Sequence, residues 1–275
     1  MARLFGFVGN RADLGSRLLE LERAALLVRS KGAILGWGLG FHQAGEVLLR
    51  RRPIDERREI DVAALASDIR SDVLVGHVRT ATVGNLRTEN THPFRYRQWL
   101  FAHTGTIGGY AAIRDRMIEA VPEFLRRNVR GDTDSEVLFH LFLSFLHDAG
   151  QLATDTIDPS ATRAALRSTL SLLERIRAQE GDGTDRMNIL LCNGEHMVAV
   201  HRSCEMSLRV VKGRADIERL LGSDTLGRIR IPDMASCRFC LIAADFDDEP
   251  SGWTTVPMDA MVTITRTDDP TIESL

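Results

Sequence analysis

Hydrophobic and polar positions alternate along this chain with two different periods. From Arg11 to Arg29, Leu14, Leu18, Leu21, Ala25 and Val28 recur at helical spacing with Asp13 near the start, which predicts an amphipathic surface helix. The same period predicts helices over Asp61–Arg70, over Tyr110–Arg127 with a break at Pro122, from Gly131 through Leu146, and over Pro159–Gln179. Thr133 and Glu136 have the spacing of a capping box at the start of the helix from Gly131 through Leu146. Strand-like runs lie between them: the opening run Met1–Gly9, Ala33–Phe41, Val47–Leu49, Val73–Arg79 and Trp99–His103, then Asn188–Leu191, His196–His201, Phe239–Ala243 and Met261–Thr265 in the last third. Asn193-Gly194 between two apolar runs is a strong hairpin signal. The alternation of small and large residues in Gly36-Trp37-Gly38-Leu39-Gly40 predicts a strand that another backbone or a ligand approaches closely.

Strands and helices come in groups, not in the strict alternation of a doubly wound sheet, so the expected class is α+β: packed sheets with helices outside. No repeat, low-complexity segment or linker divides the chain, and a single domain over residues 1–275 is expected.

Composition narrows the function classes. A formal charge of -3 and a pI near 6.3 provide no overall electrostatic case for nucleic acid or an anionic membrane as partner. The basic cluster Arg50-Arg51-Arg52 with Arg57-Arg58 is interleaved with Asp55, Glu56 and Glu59, and is expected to be a solvated loop or helix edge. Neither a signal peptide nor an apolar run of transmembrane length is visible, so a cytoplasmic protein is expected. Of the four cysteines, Cys237 and Cys240 have the Cys-x-x-Cys spacing. They run into a strand, where residues three apart face opposite sides, so buried reduced thiols are expected with Cys192 and Cys204.

Chemistry concentrates in five short stretches: His77-Val78-Arg79-Thr80-Ala81-Thr82-Val83-Gly84, Glu89-Asn90-Thr91-His92-Pro93-Phe94, Phe101-Ala102-His103-Thr104-Gly105, Gly131-Asp132-Thr133-Asp134-Ser135-Glu136, and Gly36-Trp37-Gly38. With the opening Arg3-Leu4-Phe5-Gly6, they resemble the class II glutamine amidotransferases, in particular a small stand-alone branch acting on γ-glutamyl compounds. The resemblance covers at least residues 1–145; Gly252-Trp253-Thr254-Thr255-Val256-Pro257 extends it toward the end of the chain. It implies an N-terminal-nucleophile hydrolase fold of four layers, αββα, with two stacked, mainly antiparallel sheets between helices. It also implies roles. Arg79 would pair with the α-carboxylate of glutamine and Asp134 with its α-amino group, while Thr82 and Gly84 frame the same pocket and Thr104 and Gly105 occupy the oxyanion position. A planar guanidinium suits a carboxylate, and a carboxylate suits an ammonium. The plainer alternatives are a structural ion pair for Arg79 and a helix-start carboxylate for Asp134. His77, His92 and His103 occupy motif positions that the resemblance explains without a metal, and no cofactor is implied.

Two positions depart from the pattern. The family's nucleophilic cysteine is Ala2 here, and a methyl cannot attack an amide. Thr104 stands where the family usually carries an asparagine whose amide donates to the developing oxyanion, and loss of such a donor costs on the order of a hundredfold in rate. A change at both positions points to natural divergence, since an engineered loss of the thiol has no reason to disturb the oxyanion site. Three readings follow. The chain binds glutamine or a γ-glutamyl amide with covalent hydrolysis lost or impaired. Alternatively, it remains a hydrolase through water activated by the Ala2 amine, or through a hydroxyl such as Thr104 or Thr106. Or it is an inert regulatory or scaffolding subunit beside a partner enzyme.

Overall fold

The computed structural model describes residues 2–80, 85–154, 156–180, 185–221, 234–247 and 250–275. In chain order the elements of the first half are β1 (Arg3–Gly9), α1 (Gly15–Leu21), α2 (Arg23–Leu26), β2 (Val28–Arg29), β3 (Leu35–Gln43), β4 (Glu46–Asp55), β5 (Glu59–Ile60), α3 (Val62–Leu65), β6 (Val73–Thr80), β7 (Phe94–Tyr96) and β8 (Trp99–Thr106). There follow α4 (Tyr110–Glu119), α5 (Glu123–Arg126), α6 (Asp134–Asp148), α7 (Pro159–Glu180), β9 (Arg186–Cys192), β10 (His196–Arg202), β11 (Met206–Lys212), α8 (Gly213–Leu221), β12 (Arg238–Ala244), β13 (Thr254–Thr255), β14 (Ala260–Thr265) and β15 (Thr271–Ser274).

Two large antiparallel sheets form the centre. One has the order β13-β11-β12-β1-β6-β3-β4 and the other β15-β14-β10-β9-β8-β7. Because side chains alternate across a strand, the central strands β1, β8 and β9, apolar on both faces, each feed two different core layers. Leu4 and Val8 of β1, Leu100 and Ala102 of β8, and Leu190 and Cys192 of β9 pack between the sheets. Phe5 and Phe7 of β1 face outward, onto Leu18 and Leu19 of α1, Val62 of α3 and Ile217 of α8. Phe101 of β8 and Ile189 and Leu191 of β9 face the other way, onto α4, α6 and α7. The result is the four-layer αββα architecture of the N-terminal-nucleophile hydrolases.

Several local expectations need correction. The Arg11–Arg29 segment is two short helices, interrupted at Glu22, and its end joins a two-residue ladder with β5. The Arg50–Arg52 cluster lies on β4, an edge strand, where Arg50 pairs with Asp68 through both guanidinium nitrogens at 2.7 and 2.9 Å and Arg51 reaches the Thr91 carbonyl at 3.3 Å. Only Val62–Leu65 of the Asp61–Arg70 stretch is helical, with the Asp61 carboxylate accepting from Ala64 N–H at its start. At α6 the Thr133 hydroxyl accepts from Glu136 N–H at 3.2 Å, but Glu136 does not complete the reciprocal box; its carboxylate takes Arg130 N–H at 3.0 Å and Gly131 N–H at 2.6 Å. The close approach expected at β3 is real: a Cβ on Gly38 would stand 2.0 Å from the His92 carbonyl oxygen. Cys237 faces the helix layer and Cys240 the space between the sheets, and all four cysteines are free thiols.

Candidate functional site

The site is assembled by register. β1 and β6 pair antiparallel with Leu4 opposite His77 and Arg3 opposite Val78. Since Leu4, Val73 and Val75 face the inter-sheet layer, the period of two carries Ala2, His77 and Arg79 to that same face at one end of the sandwich. On β8 the same logic carries Thr104 inward, in line with Leu100 and Ala102. His103, in line with Phe101, turns toward α6, where its Nδ1 lies 2.8 Å from the Ser135 hydroxyl.

Asp134 opens α6. Its carboxylate accepts from Ser135 N–H at 2.8 Å and from Ile107 N–H at 3.0 Å, which ties the helix start to the chain leaving β8. Negative charge at this end of a helix is favoured by the helix dipole.

Ala2, Arg79, Thr104, Gly105 and Asp134 thus line one cavity of about 190 Å3. Thr82 and Gly84 lie outside the described residues. Gly105 has φ of 122°, and a Cβ there would stand 1.8 Å from the Arg186 carbonyl oxygen, so only glycine can occupy this wall. Arg79 is 8% exposed and donates from Nη1 to the Asn90 carbonyl at 3.1 Å. Burial lowers its pKa from the ordinary arginine value, an expression of the cost of holding a desolvated cation.

His77, His92 and His103 line the same cavity and are all buried. Burial pushes His77 down to about 3, with Arg79 adding to the effect, and holds His92 well below the usual imidazole range. His103 is also lowered by burial, against the pull of Asp134. Lowered in this way, the imidazoles are neutral at physiological pH. Among the described residues, no group of three or more His, Cys, Asp or Glu side chains is placed to hold a metal ion.

The structure adds wall residues that motif reading did not assign. Asn90, Tyr110, Asp132 and Ser135 line the cavity, and all but Tyr110 lie inside stretches already singled out. Asp245 is the more distant addition: its carboxylate accepts from the Ala2 nitrogen at 2.7 Å across 243 residues of sequence, a relation no local pattern signals. No described wall residue is a cysteine. Cys204, half-buried near Asp245, is pushed up to about 11 by burial, and its Sγ is held 3.3 Å from Asn188 Nδ2.

The fold is that of the N-terminal-nucleophile hydrolases. The family model for class-II glutamine amidotransferases matches residues 19–264, and the chain belongs to that family. It is similar to the putative glutamine amidotransferase YafJ of Escherichia coli, with 30% identity over 66% of this chain and 64% of the relative. It is also similar to the probable glutamine amidotransferase DUG3 of Saccharomyces cerevisiae, with 34% identity over 33% of this chain and 25% of the relative. The matched regions therefore span from a quarter to just under two-thirds of these relatives' length. Among solved structures, a glutamine aminotransferase class-II domain protein from Silicibacter pomeroyi aligns over 99% of both chains at 20% identity with a TM-score of 0.62. The glutamine phosphoribosylpyrophosphate amidotransferase of Bacillus subtilis aligns over 99% of this chain and 49% of that one, with 14% identity and a TM-score of 0.55. Among the described residues, no helix is long and apolar enough to cross a membrane.

Proposed function

We infer that this chain binds glutamine or a γ-glutamyl amide in the cavity at the end of β1, β6 and β8, and that covalent hydrolysis of the amide is lost or impaired. The observation that carries the reading is the set of neighbours around Ala2: its methyl shares one cavity with the buried guanidinium of Arg79 and the helix-start carboxylate of Asp134. A cation and an anion facing one small cavity match the zwitterionic end of an α-amino acid. Thr104 and the Gly105 backbone stand at the oxyanion position without the side-chain amide. No thiol faces the cavity among its described wall residues, and Cys204, held as a neutral thiol, is no substitute nucleophile. With four free cysteines, the reading is of a cytoplasmic protein.

Titration calorimetry with glutamine and with γ-glutamyl peptides, beside an ammonia-release assay, tests it. Binding without ammonia release is expected for the folded protein. No heat at millimolar glutamine would remove the binding half of the reading, and release at an ordinary enzymatic rate would remove the other.

One contact favours a second reading, in which hydrolysis persists through a hydroxyl. Ser135 Oγ is 2.8 Å from His103 Nδ1, the spacing of a nucleophile and its base, and both line the cavity. Ser135 then takes the part assigned above to Thr104 or Thr106. On this reading ammonia release is measurable and disappears in Ser135→Ala; activity that survives the substitution excludes it.

A further inference from the structure

Asn90 is 1% exposed and ends a single helical turn, Thr88–Asn90, between β6 and β7. Its polar groups point in two directions. The main-chain carbonyl accepts from Arg79 Nη1 at 3.1 Å. The side chain turns toward the segment that precedes α6: Oδ1 accepts from Asp132 N–H at 3.1 Å, and Nδ2 donates to the Asp132 carboxylate and, at 3.0 Å, to the Asn85 carbonyl. From the other side the Glu136 carboxylate holds the same segment by Arg130 N–H and Gly131 N–H. The chain carrying Asp132 and Asp134 is therefore suspended between Glu136 and Asn90, and Asn90 alone of the two also touches the arginine.

We propose that Asn90 is a positioning residue that sets the separation between Arg79 and Asp134, and so determines that the cavity takes a ligand with a carboxylate and an ammonium on one carbon. The proposal rests on the binding reading above. A buried asparagine can do this where a hydrophobic residue cannot, because its amide offers a donor and an acceptor in one plane, matching the carboxylate and N–H of a single residue, Asp132. Loss of the amide frees the 130–134 segment on one side and leaves the Asp132 N–H without its acceptor. Arg79 and Asp134 then no longer hold a common geometry, although neither has been altered.

The test compares three ligands by calorimetry: glutamine, γ-aminobutyramide, which lacks the α-carboxylate, and glutaramate, which lacks the α-amine. In the wild-type protein glutamine is expected to bind at least about tenfold more tightly than either, since each lost charge pair is worth about 1.4 kcal/mol or more. In Asn90→Ala both ratios are expected to fall together toward unity. A residue that only stabilises the fold would reduce the binding-competent fraction for all three ligands alike and leave the ratios unchanged, so unchanged ratios overturn the proposal. If Asn90→Ala does not fold, Asn90→Asp, which keeps the shape and replaces the donor by an acceptor, is read by the same ratios. The exchange Asn90→Asp with Asp132→Asn restores the side-chain hydrogen bond with its direction reversed and is expected to recover most of both ratios. A folded wild-type protein that binds none of the three defeats the glutamine reading and the proposal with it, whereas wild-type selectivity that survives in Asn90→Ala defeats the proposal alone.

Discussion

Restoring the two missing groups is the sharpest perturbation the site allows. Ala2→Cys adds a single sulfur at a position whose backbone is already held, by Asp245 at 2.7 Å, and which borders a cavity of about 190 Å3. Thr104→Asn adds one heavy atom to a side chain that faces the same cavity and is 9% exposed. A side-chain amide at an oxyanion site contributes roughly 100- to 1000-fold in rate, about 2.7–4 kcal/mol. Part of that contribution is retained in the single variant if the Thr104 hydroxyl donates, so the expected gain of the double variant over Ala2→Cys lies nearer the lower end, roughly 100-fold. The assay is ammonia release at saturating glutamine, coupled to glutamate dehydrogenase, with intact mass verifying that the initiator methionine is gone and the cysteine is the first residue. Arg79→Ala in the double variant should raise KM steeply, because it removes a charged contact present in ground and transition states alike. A folded double variant that binds glutamine and releases no more ammonia than the parent would refute the reasoning, for it would mean that the remaining walls are no longer arranged around an amide.

Further outcomes follow from burial and backbone geometry. His77 is pushed down to about 3 and His42 and His196 to about 4, all by burial, whereas unfolded histidines titrate near 6.5. Between those limits the unfolded chain binds more protons, so the contribution of these groups is complete above about pH 6.5 and is lost as pH falls, by about 1.4 kcal/mol per pH unit for each histidine; denaturant unfolding at pH 7.5, 6 and 5 reads this, and equal midpoints would contradict it. Gly105→Ala is expected to destabilise by about 1–3 kcal/mol from backbone strain alone, with the clash against Arg186 in addition; a thermal midpoint within a degree of the parent would show that the β8–β9 pairing yields. With three core layers sharing the same strands, unfolding is expected as one cooperative transition, as for a single domain, and two separated calorimetric peaks would argue for independent units. Cys192 and Cys240, buried and pushed up to about 12, should resist alkylation at neutral pH unless the protein is unfolded.

Much of this is legible in the sequence. Periodicity located most of the strands and the long helices α6 and α7, because those segments are long and bury a continuous apolar face. It missed β11 and α8, whose Met206–Lys212 run and short following helix are broken up by charge. It misassigned Arg50–Arg52, because an edge strand can carry arginines whose stems lie along the sheet while their heads reach carboxylates and carbonyls. The motifs marked out most of the site, since Arg79, Thr104, Gly105 and Asp134 each sit at the end of a strand or start of a helix that the pattern already delimits.

By itself, then, the sequence determined the class of fold, the family, the absence of a thiol at position 2 and the residue types around it. These depend on local periodicity and on short motifs, which are properties of neighbours along the chain. Only the tertiary structure decided that Asp245 meets the Ala2 nitrogen, that Asn90 touches both Arg79 and Asp132, that Ser135 faces His103, and that Cys204 stays out of the cavity. Each of those relations joins segments far apart along the chain, and which of them meet is decided by how sheets and helices pack together, not by the local pattern of either segment.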